Sequence, residues 1–161
     1  MLYKLIQLEQ YEISDDPIEL NDYSSGSYAL YKAINTHHLV FIFFRPDQRR
    51  ETEPRCDYIL VSKDDQCIPS RFIELKGDNQ PRKERCCKTE WDHAFHQLFC
   101  TYQGYETYID TQIEKIIFIL STSIEEQRIA AKFKKYRWYR MLQEVACGEI
   151  KVLYRNDYDT I

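Results

Sequence analysis

Four short apolar runs constrain this chain most: 38–44 (HLVFIFF), 56–62 (CDYILVS), 70–77 (SRFIELKG) and 116–120 (IIFIL). A membrane helix needs about 20 apolar residues, so none of them can cross a bilayer as a helix. They are also too rich in β-branched and aromatic side chains to lie in water, and each reads as a buried strand. The run IIFIL has no polar residue at all, the pattern of a strand covered on both faces of a parallel sheet. The opening MLYKLIQLEQ turns polar too soon for a signal peptide, so a cytoplasmic protein with no membrane partner is expected. In that setting the six cysteines are expected to be reduced thiols.

Between these runs the periodicity changes. Segment 2–8 alternates and reads as a short strand or a fraying start. The stretch 24–35 (SSGSYALYKAIN) reads as a helix capped by Ser24 or Ser25, with Tyr28, Tyr31 and Ala33 or Ile34 facing inward. The linker SKDDQCIP has hairpin chemistry and joins the second and third apolar runs. A second helix is expected from Thr89, with Trp91, Phe95, Leu98 and Tyr102 forming a core stripe. A long helix over 124–146 should close at Gly148, before a last strand at 149–154. The expected order is α-β-β-β-α-β-α-β: an α/β domain whose mixed sheet has a central hairpin and helices on its faces. At 161 residues, one domain spanning 1–161 is expected.

The net charge of −4 excludes a protein held on nucleic acid by total charge, yet the charge is segregated. Residues 1–24 carry six acids and one base, whereas 128–140 carry six bases and no acid. Arg71 to Lys88 holds six bases against Glu74, Asp78 and Glu84. With only 4 glycines there is no phosphate-cradling loop, no dinucleotide fingerprint and no serine-hydrolase elbow.

The chemistry concentrates on the central hairpin. Asp57 opens one strand, and the next ends Phe72-Ile73-Glu74-Leu75-Lys76-Gly77. Alternation puts Glu74 and Lys76 on one face, and antiparallel pairing can bring Asp57 toward Glu74. Two carboxylates that close repel unless a proton or a divalent cation sits with them, and hard Mg²⁺ or Mn²⁺ suits oxygen ligands. Lys76 would stand beside such an ion, placed to stabilise charge on phosphorus.

This arrangement resembles the PD-(D/E)xK nuclease superfamily of restriction-endonuclease-like enzymes, over a core of about 24–121, with 122–161 as a C-terminal helix–strand extension. The resemblance implies an αβββαβ core and a metal-dependent nuclease with Mg²⁺ or Mn²⁺ as cofactor. It implies Asp57 and Glu74 as metal ligands, joined by the Leu75 carbonyl, and Lys76 as the catalytic lysine. Gln97 on the following helix would act beside them, with His93 one turn earlier. The substrate would be nucleic acid, DNA ahead of RNA, handled by a homodimer or a larger complex. The motif proline does not directly precede Asp57, since Pro54 lies three residues back, and the acid often present in the first helix could come only from Glu19 or Asp22 upstream. A catalytically silent module of the same fold, acting as an adaptor, is the alternative.

Other signals weigh less. Glu149-Ile150-Lys151 repeats the acid-x-Lys pattern without a partner acid on a preceding strand. Cys86-Cys87 with His93 and His96 suggests zinc, but adjacent cysteines chelate one metal poorly. For gripping a phosphate backbone, Arg82, Lys83, Arg85 and Lys88 lead, because they leave the catalytic strand directly. Lys132 and Lys135 form a stripe with Arg128 and Tyr139 on the long helix, with Tyr136 or Tyr139 available to stack on an unpaired base.

Overall fold

A computed structural model describes residues 8–21, 29–46, 54–77, 84–110, 114–123, 130–145 and 148–161, with backbone alone for 84–90 and 130–132. Nine strands and two α-helices are described: β1 (Tyr11–Ile13), β2 (Ile18–Asn21), β3 (Leu30–Ile34), β4 (Phe41–Phe44), β5 (Tyr58–Ser62), β6 (Ser70–Lys76), α1 (Glu84–Tyr105), β7 (Ile116–Thr122), α2 (Arg137–Gln143), β8 (Gly148–Leu153) and β9 (Asp159–Thr160). The main sheet has the order β1-β4-β5-β6-β7-β8. It is antiparallel from β1 to β6 and parallel from β6 to β8. A second sheet, β2-β3-β9, lies on one face, and α1 and α2 lie on the other.

Alternation along β5 and β6 sorts the two cores. Ile59, Val61 and Phe72 pack with Trp91, Phe95 and Leu98 of α1. Tyr58, Leu60, Ile73 and Leu75 pack with Ile18, Tyr31 and Ala33 of the second sheet. Phe72, Phe95 and Phe118 are fully buried, each removal from water being worth roughly 1.5–3 kcal/mol. The hairpin of β5 and β6 forms as its sequence predicts, with Tyr58 opposite Ile73, and IIFIL is indeed the buried parallel strand β7.

Several expectations are corrected. The described part of 24–35 is strand β3, not a helix, because Tyr31 and Ala33 alternate inward and pair with β2 and β9. A sheet thus covers the face that the expected helix would have covered. Helix α1 begins at Glu84 rather than Thr89, since the charged residues before Thr89 are good helix formers and extend it. The long helix over 124–146 is interrupted: a 3₁₀ segment, Ala130–Lys135, meets α2 at Tyr136, whose φ of −80° and ψ of 135° are extended. Like charges at helical spacing and four aromatic residues from 133 to 139 disfavour a continuous helix there. Gly148 opens β8 instead of closing a helix. A Cβ at that position would lie 2.5 Å from Phe118 Cε2, so the close approach of the two strands requires glycine. The strand expected at 2–8 lies almost wholly outside the described residues, while β1, β2 and β9 carry too few residues for their periodicity to stand out.

Candidate functional site

The register of β5 and β6, continued by one pair beyond Tyr58 and Ile73, sets Asp57 opposite Glu74. Strand alternation turns Glu74, like Phe72, toward α1, while Asp57 lies just before β5 and reaches β6 through its carboxylate. Asp57 Oδ2 accepts the Leu75 N–H at 2.8 Å, which fixes the carboxylate across the mouth of the hairpin. Glu74 is buried, with 1% exposure, and its Oε1 lies 3.2 Å from Lys76 Nζ. The lysine is partly open to solvent. A carboxylate this deep is held by charge pairing, because an isolated buried charge is costly. The structure therefore brings Asp57, Glu74 and Lys76 to one end of one hairpin.

Helix α1 braces this end of the sheet. Thr101 Oγ1 donates to Gln97 O at 2.8 Å and accepts the Cys56 N–H, also at 2.8 Å. Gln97 Nε2 donates to Arg55 O at 3.2 Å, and Arg55 Nη1 donates to Cys100 O at 2.9 Å. These bonds clamp the backbone just before Asp57 against one face of the helix. Gln97 Oε1 is buried and has no hydrogen-bond partner among the described residues. Burial pushes the Cys56 thiol well up, a Thr101 hydrogen bond opposes it, and the Glu74 and Asp57 charges push the same way as burial. Cys56 is thus an inert neighbour rather than a nucleophile.

His93 faces the same end. Its pKa lies below the usual imidazole value, first through partial burial, then through the charge of Lys76 and of His96, with Asp92 opposing. It is therefore neutral at pH 7. The His93 and His96 rings lie 6.1 Å apart, and His96 stacks on Trp138 at 4.0 Å. The zinc alternative gains nothing here: the side chains of Cys86 and Cys87 are outside the described residues, and no group of three His, Cys, Asp or Glu able to hold a metal occurs among those described.

The basic residues are only partly placed. Arg82 and Lys83 lie outside the described residues. Arg85 and Lys88 sit in the first turns of α1 rather than in a loop, and of their side chains nothing is described, as for Lys132. Lys135 is exposed, but the break at Tyr136 dissolves the expected stripe, and Tyr139 turns inward to meet Phe95 at 5.2 Å. Glu19 lies on β2 in the second sheet, behind the main sheet as seen from Glu74, so it does not complete the carboxylate pair. Asp22 is outside the described residues.

Sequence reasoning missed two features. One is the Thr101 clamp, for which a lone threonine inside an amphipathic helix gives little signal. The other is a buried network around Asp159: Arg71 Nε at 2.5 Å, Tyr31 OH at 2.7 Å and Lys151 Nζ at 2.7 Å. It fastens β9 to β3, β6 and β8, and it gives Lys151 of the second acid-x-Lys match a structural partner. Among the described residues no helix is long and apolar enough to cross a membrane. No protein-family model matches the sequence, and neither a curated protein nor a solved structure matches it.

Proposed function

We propose that the chain is a metal-dependent nuclease that hydrolyses phosphodiester bonds in nucleic acid, DNA ahead of RNA. The observation that carries the reading is that Asp57, Glu74 and Lys76 meet at one hairpin end, with Asp57 Oδ2 on the Leu75 N–H at 2.8 Å and Lys76 Nζ 3.2 Å from Glu74 Oε1. The succession from β4 to β7, three strands, a helix and a parallel strand, follows the βββαβ part of the αβββαβ order that the PD-(D/E)xK resemblance implies, with strand β3 where that order has its first helix.

The donor set fits a hard cation. Two carboxylates and a backbone carbonyl supply oxygen alone, and one ammonium already offsets part of their charge. Asp57, Glu74 and the Leu75 carbonyl would hold Mg²⁺ or Mn²⁺, which supplies Lewis acidity toward the phosphate and lowers the pKa of water. The protein's own groups do the rest. Lys76 places a positive charge where negative charge develops on phosphorus. Neutral His93 can take or return a proton, and Gln97 Oε1 can accept a hydrogen bond from water or substrate. The Leu75 N–H keeps Asp57 from rotating out of the site.

One observation favours a second reading, a catalytically silent adaptor of the same fold. The Lys76–Glu74 pair meets part of the carboxylate's electrostatic need from within the chain. Cleavage assays separate the two. Labelled DNA and RNA are incubated with Mg²⁺ or Mn²⁺ and the wild-type, Asp57→Ala, Glu74→Gln and Lys76→Met proteins. The nuclease reading expects metal-dependent cleavage that falls by at least about 100-fold in each variant, with folded far-UV spectra. Cleavage that survives EDTA, or persists in Glu74→Gln, overturns it.

A further inference from the structure

At the same end of the sheet, but on its opposite face, lies a cavity of about 290 Å³ lined chiefly by Tyr11, Leu20, Phe43, Arg45 and Tyr58, with Glu19 at its rim. Tyr11 and Phe43 stack at 5.1 Å with an interplanar angle of 18°, and Tyr58 meets Phe43 edge-on at 5.9 Å. The Arg45 guanidinium lies over the Tyr58 ring, 5.5 Å from its centre. Tyr58 is held by a hydrogen bond from its hydroxyl to Asn21 O. Tyr11 is 37% exposed, so one aromatic wall is open to a ligand.

The register ties this cavity to the carboxylate pair. Phe44 pairs with Ile59, so the next pair is Arg45 and Tyr58, and Tyr58 is the chain neighbour of Asp57. Strands lie about 4.8 Å apart, which sets the backbones of Arg45 and Glu74, two strands away from each other, roughly 10 Å apart. Their side chains leave opposite faces of the sheet, so a chain of nucleotides passing around this end of the sheet would meet both.

We propose that the cavity is a subsite for one unpaired nucleotide of the substrate strand; this rests on the nuclease reading for the class of substrate. The base lies against the Tyr11–Phe43 wall, and the adjoining phosphate takes the Arg45 guanidinium. Glu19, at the rim, accepts from an exocyclic amine. Its volume stands at the small end of ligand pockets, enough for one base and its sugar. A base inside a duplex has both faces covered and cannot enter, so the substrate is single-stranded, frayed or flipped at this position.

The test separates this site from the chemistry. A single-stranded tetranucleotide carrying 2-aminopurine is titrated into Glu74→Gln protein in EDTA, where neither metal nor cleavage contributes. Saturable quenching is expected, weakened about tenfold by Arg45→Gln and by Tyr11→Ala, and retained in Tyr11→Phe. The same probe annealed into a duplex should bind at least about tenfold more weakly. Unchanged affinity in Arg45→Gln and Tyr11→Ala, or equal affinity for the duplex, overturns the subsite. If Arg45→Gln fails to fold, the exposed Tyr11 pair decides alone. Should no nucleic acid be cleaved while this binding pattern appears, the subsite stands and the nuclease reading falls. Cleavage without the pattern leaves the nuclease reading standing and removes the subsite.

Discussion

Replacing Asp159 by Asn tests the packing logic of the fold at its most charged point. Asp159 is completely buried and holds Arg71, Lys151 and Tyr31, and Arg71 is itself 2% exposed. Asn keeps the shape but leaves the Arg71 guanidinium buried without its counterion. Breaking a buried pair from one side costs about 3–5 kcal/mol. Set against a total stability of roughly 8–24 kcal/mol at this length, that is a large share. In a domain of this size it lowers Tm by roughly 6–20 °C. Removing the Arg71 charge as well, as in Asp159→Leu with Arg71→Met, should recover part of the loss, because no unpaired charge then remains buried, while the Tyr31 hydroxyl still lacks its acceptor. Urea unfolding followed by far-UV circular dichroism reads both variants. Acid behaviour follows from the same cluster. Burial alone would raise the Asp159 carboxyl, but Arg71, Lys151 and Tyr31 outweigh it and hold the pKa below its usual 3.8. The unfolded chain then binds the proton more readily, so this stabilisation is complete well above pH 3.8 and is lost as pH falls through the lower folded value. A loss below about 1 kcal/mol in Asp159→Asn would refute the view that this network fastens the C-terminal strand.

Three further outcomes follow from single contacts. Gly148→Ala forces a methyl to 2.5 Å from Phe118, and overpacking of about 1–3 kcal/mol should appear as a lower urea midpoint with unchanged slope. Thr101→Val removes the acceptor of the buried Cys56 N–H and should cost about 1–3 kcal/mol in the same assay, with cleavage weakened as Asp57 loses its brace. Native protein treated with a thiol reagent at pH 8 should modify exposed Cys67 at once and leave Cys56 unmodified until denaturant is added, as mass spectrometry would show.

How much of this was legible in the sequence depends on which physical signal each residue carries. The runs holding Ile59, Ile73 and Ile119 could only be buried strands, and their short polar connection forced the β5–β6 hairpin; from there Asp57, Glu74 and Lys76 follow by alternation. Residues 29–35 misled because Tyr31, Ala33 and Ile34 satisfy helical and strand spacing about equally over so short a window. Pairing with β2, the preceding strand, and with β9, far along the chain, made the choice. Arg71 and Asp159 are 88 residues apart, and no local pattern joins them. The groove beside Arg45 was hidden for the same reason, since it draws its walls from β1, β2, β4 and β5, three of them three or four residues long.

The proposed chemistry requires a cation site built by Asp57 and Glu74. Calorimetric titration of Mn²⁺ into the purified, metal-free protein measures it without any substrate. The prediction is saturable binding of Mn²⁺ that disappears in Asp57→Ala and in Glu74→Gln and survives in Asp159→Asn under conditions where that variant is folded. A flat trace for the wild-type protein, or heats that persist in both carboxylate variants, would contradict it.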